Sequence, residues 1–506
     1  MNRYAKHIKL GATIILALVS LYLVSVIFVS GQILLASAVL AGISIGFFVY
    51  LSKVGHTYRY LFPGLAGIAV FIVFPLIYTV WVGFTNYSSL HLLTYERAVD
   101  YFLDETYRVS KIEYQFSLHA DGNQYRLLLV NEQGQKFVSP PLNLDATVRT
   151  KVNMQPLTNE SLGKPLSIRD IIQHMDRIKQ LQAEFPDGTS ARMTGLRNFA
   201  PQQQRYRYNP QQKTLEDLKT GDTLTANFNT GYFENSKGGA VSPGFRIFVG
   251  TANFMRMITD PGFQGPFIRI FIWTVMFAGL TVLFTLIVGS VLAVLLSWEA
   301  LKFRGVYRMM LFMPYAVPGF ISILVFKGLF NENFGEINII LNSLFGIKPA
   351  WFSDPILAKS MLLIVNTWLG YPYIMVLCMG LLKSIPGDLY EASAIAGAGP
   401  ITNFFKITIP LIIRPLTPLL ISSFAFNFNN FVLIALLTNG RPDFLGTKVP
   451  AGTTDILVSY TYRIAFEDSG KDFGLAGAIA TVIFFMVAIL AIVQLHYSNI
   501  NVEQSR

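Results

Sequence analysis

The chain has 506 residues, of which 52% are hydrophobic and only 14% charged, with a formal net charge of +10. This composition excludes a soluble globular enzyme of that length. It defines a polytopic α-helical membrane protein, because several uncharged runs reach the roughly 20 residues needed to cross a bilayer. The positive balance implies no nucleic acid, since Lys and Arg near span ends retain cytoplasmic loops, and the single cysteine, Cys378, provides neither a disulfide framework nor a thiol pair for a metal.

The sequence predicts eight transmembrane helices. Leu10–Val29 forms the first, Gly31-Gln32 a tight turn, and Ile33–Leu51 the return. The third runs over 61–82, through Pro63 and Pro75. Arg3, Lys6 and Lys9 place the N-terminus in the cytoplasm, so the third span leads outward. The first domain is therefore 1–85.

From 86 to 265 the long apolar runs vanish and charges of both signs appear. This is a domain large enough for its own core, and topology puts it outside. Ile112, Tyr114, Phe116 and Leu118 alternate with polar residues as in a half-buried strand, and Asp121-Gly122 turns into a second strand. Ile168, Ile171, Ile172, Met175, Ile178 and Leu181 repeat at helical spacing after the start signals Ser167 and Asp170. The domain is mixed β and α.

Residues 266–506 form a core of five further spans: 267–296, 307–326, 361–382, 411–437 and 473–495. The fifth span holds Pro314 and Pro318, which bend a helix by freeing carbonyls. The segment 438–472 reads as an external loop, and the C-terminal tail returns to the cytoplasm.

Between the sixth and seventh spans, residues 388–410 read D-L-Y-E-A-S-A-I-A-G-A-G-P-I-T-N-F-F-K-I-T-I-P. This is a polar helix, a Gly/Pro break and a second short element, on the cytoplasmic side. Asp388 and Glu391 have the spacing of a capping box. Ala392 continues the helix and Gly397 ends it.

No P-loop, nucleophile elbow or zinc-binding histidine spacing occurs, so the chain has no catalytic set of its own. Two polar stripes lie inside spans instead. Asn366, Leu369, Gly370 and Tyr373 share one face of the sixth span, and Ser423, Phe426, Asn427 and Asn430 repeat that spacing in the seventh. Asn in hydrocarbon needs a partner or water, so the stripes mark either interhelical hydrogen bonds or a wet cavity. With amides to bond hydroxyls, aromatic rings to cover a sugar face, and no ionised group, a cavity of this kind suits a neutral polyhydroxyl ligand. A permease for another neutral oligosaccharide and a membrane receptor with an external sensing domain both remain open on these features.

The E-A-S-A, G-A-G and I-P-L series of 391–411 resembles the coupling loop of ABC importer permeases. Many members carry an acidic residue before the first glycine, where this chain has Ala396. The N-T-W-L-G-Y-P-Y run at 366–373, S-F-A-F-N-F-N-N-F at 423–431 and M-P-Y-A-V-P-G-F-I-S-I-L at 313–324 are similar to the larger permease subunits of bacterial maltose/maltodextrin importers. That resemblance implies a type I permease fold with an immunoglobulin-like periplasmic domain, in the inner membrane of a Gram-negative bacterium. It implies a second permease subunit, two copies of an ABC ATPase that uses ATP and magnesium, and a periplasmic maltose-binding protein, with membrane lipid around the spans. It also makes the two stripes the maltose/maltodextrin contacts, Glu391, Ala392 and Gly397 the ATPase-coupling segment, and the chain itself free of cofactor and metal.

Overall fold

The computed structural model of the chain describes residues 2–30, 33–110, 112–122, 124–144, 150–157, 162–298, 300–447 and 449–503. The turn predicted at Gly31-Gln32 lies outside the described residues. The chain divides into two compact units, one of residues 85–249 with 470–472, the other of the remainder. The first unit ends at Val249 rather than at 265. The amphipathic helix Ala252–Thr259 packs with the membrane unit, where Asn253 Nδ2 donates to the Gly83 carbonyl over 2.9 Å.

Among the described residues of the membrane unit, six helices are long and apolar enough to cross a bilayer, or seven if one bent pair counts as a single span. We number the helices α1 (Asn2–Val29), α2 (Ile33–Leu51), α3 (Phe62–Gly83) and α4 (Pro261–Ser297). The bent pair is α5 (Arg304–Ala316) and α6 (Gly319–Leu329). Then come α7 (Pro355–Leu382), α8 (Asp388–Ile395), α9 (Pro400–Phe428), α10 (Phe431–Leu437), α11 (Leu457–Phe466) and α12 (Phe473–Glu503). Helix α2 is apolar, but its apolar stretch, Leu35–Leu51, is shorter than the six spans.

Helices α4 and α7 are the central pair. A Cβ at Gly289 of α4 would fall 2.9 Å from Ile374 of α7, so only glycine permits this approach. Toward the N-terminal ends of both helices, Trp273 and Phe277 of α4 pack with Met361, Leu362 and Val365 of α7 in one buried cluster. Elsewhere the outer faces carry exposed Leu, Ile, Val and Phe, as a lipid-facing surface must.

Two predicted spans are broken. The single helix expected over 307–326 is instead α5 and α6, bent by 92°. Proline disfavours helical geometry in the residue before it, and Val317 is extended (φ −93°, ψ 131°) ahead of Pro318. The helix expected over 411–437 stops at Phe428. Asn430 then caps α10, its Oδ1 accepting from Leu433 N over 3.4 Å. An Asn-rich run offers the backbone side-chain partners and favours caps over helix interior.

The expected external loop 438–472 contains the buried helix α11. Arg463 on it reaches three carboxylates: Asp455 and Asp443, each at 2.7 Å, and Glu467 at 3.3 Å. Asp455 is fully buried and also accepts from Gly452 N and Ser459 Oγ. Burial pushes its carboxyl up to about 6, against the opposing pull of Arg463 and these donors.

Among its described residues the other unit holds two sheets. The nine-stranded sheet comprises β1 (Thr106–Arg108), β2 (Tyr114–Asp121), β3 (Gln124–Asn131), β4 (Lys136–Val138), β5 (Thr150–Asn153), β6 (Gln155–Pro156), β7 (Leu181–Glu184), β8 (Ser190–Met193) and β9 (Asn198–Gln204). Its order is β5-β7-β8-β9-β2-β3-β4-β6, with β1 on β9; β5 and β7 are parallel. A five-stranded meander follows over residues 206–241. The predicted alternation is seen on β2, where Tyr114, Phe116 and Leu118 point into the core opposite Leu127 and Leu129. The single helix face expected from Ile168 to Leu181 is not formed. Two short helices, Ile168–Gln173 and Met175–Ile178, end before Leu181, which lies in β7; Ile168 and Ile172 are exposed. A period of 3.6 over so few turns does not outweigh strand pairing with β5 and β8.

Candidate substrate cavity and coupling segment

A cavity of about 820 Å³ opens between α4, the α5–α6 break, α7, and the α9–α10 break. Asn366, Leu369, Gly370 and Tyr373 from α7 line it, and so do Ser423, Phe426 and Asn427 from α9 and the cap residue Asn430. The structure thus brings all eight predicted residues to one space. Asn430 arrives there through the turn between helices, not as the next residue of a helical stripe.

The polar side chains are connected. Asn366 Nδ2 donates to Asn427 Oδ1 at 2.7 Å and to Thr281 Oγ1 at 3.1 Å, while Asn366 Oδ1 accepts from Asn430 Nδ2 at 3.2 Å. Asn427 Nδ2 donates to the Ser423 carbonyl at 2.8 Å. The choice between interhelical hydrogen bonds and a cavity is therefore not exclusive: the same amides join helices and edge the open space. Asn366 and Asn427 are 5% exposed, whereas Phe426 is 70% exposed and Tyr373 42%, so two accessible aromatic rings stand among the lining residues. No Asp, Glu, Lys or Arg is among the lining residues. Such a site matches hydroxyl-bearing ligands and offers nothing to an ion.

Sequence reasoning missed α4. Thr281 and Thr285 line the cavity, and a Cβ on Gly370 would meet Thr285 Cγ2 at 2.8 Å. The signal was present in the series Thr274, Ala278, Thr281, Thr285, Gly289, a small or hydroxylated residue at every helical turn. Tyr315 and Val317 at the α5–α6 break were missed as well, because the backbone break that aims them inward is a tertiary outcome.

The polar segment after α7 folds into α8, a turn at Gly397 (φ 75°) and α9. The capping box predicted for Asp388 and Glu391 does not form. Gly387 occupies the cap position, with no side-chain bond, and both acids lie in the first turn, where they complement the helix dipole. Glu391, Ala392 and Gly397 are exposed; Ile395 is 90% exposed. Tyr390 and Ser393 face inward, half-buried. Among the described residues no group of His, Cys, Asp and Glu could hold a metal ion.

The arrangement is that of a transport component: apolar helices around an uncharged cavity, with the exposed polar helix α8 following α7. Residues 285–501 match the binding-protein-dependent transport system inner membrane component family, and residues 93–250 match the maltose transport system permease protein MalF P2 domain. The chain is 51% identical to the maltose/maltodextrin transport system permease protein MalF of Yersinia pestis, over 97% of this chain and 94% of that one. It is 49% identical to its Escherichia coli K12 counterpart over 94% of this chain and 93% of that one, and 48% identical to that of Vibrio cholerae over 98% and 95%. The chain belongs to the MalF family of permease proteins. Among solved structures, a bacterial ABC transporter involved in import of the acidic polysaccharide alginate aligns with a TM-score of 0.41 at 19% identity, over 51% of this chain and 85% of that one.

Proposed function

We propose that this chain is the permease subunit that passes maltose and linear maltodextrins through the inner membrane, with energy from ATPase subunits separate from it. It pairs with a second permease, two ATPase copies dock on the cytoplasmic face and consume ATP with magnesium, and a periplasmic maltose-binding protein delivers sugar. Both termini are cytoplasmic, the domain of residues 85–249 is periplasmic and, as in the family pattern, immunoglobulin-like, and lipid surrounds the outer helix faces. The observation that carries this reading is the uncharged cavity edged by three asparagines and two exposed aromatic rings, in a chain whose relatives match it nearly end to end.

Each part has a physical role. Asn366, Asn427 and Asn430 exchange amide hydrogen bonds with sugar hydroxyls. Tyr373 and Phe426 cover the apolar ring faces, while Leu369, Gly370 and Ser423 shape the walls. Glu391 and Ala392 on α8, and Gly397 at its end, meet the ATPase; the exposed Ile395 adds apolar surface to that contact. ATP-driven closure of the ATPases displaces α8, rotates the last spans and switches the cavity from inward to outward access. For the test, a Glu391→Lys variant is assayed for sugar-stimulated ATP hydrolysis and uptake in the assembled complex. Loss of stimulation with assembly intact is the expected result. Wild-type coupling would remove this segment from the mechanism.

A further inference from the structure

Just after its first turn, Pro400–Asn403, α9 departs from α-helical geometry in one place. Residues Phe404–Thr408 form a π turn, closed by Ile409 N donating to the Phe404 carbonyl. Such insertions gather at functional sites, because they cost hydrogen-bond geometry. Here the insertion changes which residues share a face. In a regular α-helix, positions five apart diverge by about 140° around the axis. With one residue added to the turn, Asn403 and Thr408 come to the same side.

Helix α8 meets that side with matching spacing. Tyr390 and Ser393, three apart, lie on the half-buried face of α8. The Tyr390 hydroxyl shares a 2.9 Å hydrogen bond with Thr408 Oγ1, and Ser393 Oγ donates to Asn403 Oδ1. Thr408 is buried and the other three are half-buried. Glu391, Ala392 and Ile395 point the opposite way, into solvent. The two sides of α8 thus serve different ends.

We infer that Tyr390–Thr408 and Ser393–Asn403 form a two-point latch that makes α8 and the foot of α9 one rigid body. The inference rests on the proposed coupling role of α8 and adds how motion leaves it. The Gly397–Gly399 turn alone is too pliable to transmit a push. With both latches closed, a displacement of α8 becomes a displacement of α9, whose other end carries Asn427, roughly 28 Å away along the axis. Tyr390, Ser393, Asn403 and Thr408 are positioning residues, acting on the cavity through α9.

The test uses the complete importer in proteoliposomes with sugar-loaded binding protein, reading ATP hydrolysis and sugar uptake separately. Tyr390→Phe combined with Asn403→Ala removes both hydrogen bonds and little volume at Tyr390. Expected is near wild-type stimulated hydrolysis with uptake per ATP reduced about fivefold or more. Thr408→Ser, which keeps a hydroxyl, retains wild-type uptake per ATP. An unchanged ratio in the double variant overturns the latch. Should the double variant fail to assemble, Ser393→Cys with Asn403→Cys in a Cys378→Ser background decides. A closed disulfide that leaves uptake per ATP equal to that after reduction supports a latch that stays shut; uptake blocked until reduction overturns it. Should Glu391→Lys uncouple the complex while the double variant does not, the latch alone has failed and the coupling role stands.

Discussion

Asn366 is the residue on which the cavity turns. Both protons of its amide and one lone pair of its carbonyl are already engaged by Thr281, Asn427 and Asn430. A sugar must therefore trade with existing bonds, not fill empty ones, and the exchange is near balance because each net hydrogen bond contributes only about 1 kcal/mol. Replacing Asn427 and Asn430 together by Leu leaves Asn366 with unpaired polar atoms and removes two hydroxyl partners. Uptake at low sugar concentration should fall by about tenfold or more, since 1.4 kcal/mol is a factor of ten; full uptake with the native substrate range would make the asparagines purely structural. In the other unit, Asp217 pairs with Arg205 at 3.1 Å and accepts from Lys219 N at 2.9 Å. Burial works against its carboxylate, but Arg205 and these donors outweigh it and hold its pKa below the ordinary value. A depressed folded-state pKa adds stability above the unfolded value, near 4 for Asp, that is lost as pH falls through the folded value. Asp217→Asn should thus cost about 1.5–3 kcal/mol at pH 7 and progressively less as pH falls below about 4, read by denaturant unfolding of a fragment spanning residues 85–249.

At the scale of elements, breaks in helices carry the function. The α5–α6 bend at Pro318 and the α9–α10 break at Asn430 both open onto the cavity. Irregular backbone at membrane depth is tolerated where it lines such a space. Helix α11 shows the opposite strategy, with a buried cation tying down a long connection. Arg463 is 5% exposed among Asp443, Asp455 and Glu467. Removing the cation strands a buried carboxylate, a change that costs about 3–5 kcal/mol. Arg463→Met should lower the thermal unfolding temperature of the detergent-solubilised protein by several degrees, and an unshifted transition would show that this connection does not contribute to global stability. Residues 438–472 read as a loop because Arg463, Asp443, Asp455 and Glu467 look like solvated charges until a fold encloses them.

For the whole molecule, the contact division makes residues 85–249 a unit with its own cores. One is built on Phe116, Leu118, Leu127 and Leu129, the other on Phe102, Tyr206, Phe233 and Phe245. A fragment of those residues should be soluble without detergent, β-rich by circular dichroism, and cooperative in unfolding; aggregation or a non-cooperative melt would mean that the membrane unit is needed to complete it.

The sequence by itself determined the membrane class, the long spans, the inserted domain, and the stripe residues that meet at the cavity. These follow from local hydropathy and periodicity, which need no partner segment to be read. Only the tertiary structure decided where the spans break, that Thr281 and Thr285 join the asparagines, that Leu181 is strand, that Gly387 caps α8, and that Arg463 is buried. Each of those outcomes depends on which distant segment supplies a hydrogen-bond partner or a packing surface, and a one-dimensional pattern does not contain that information.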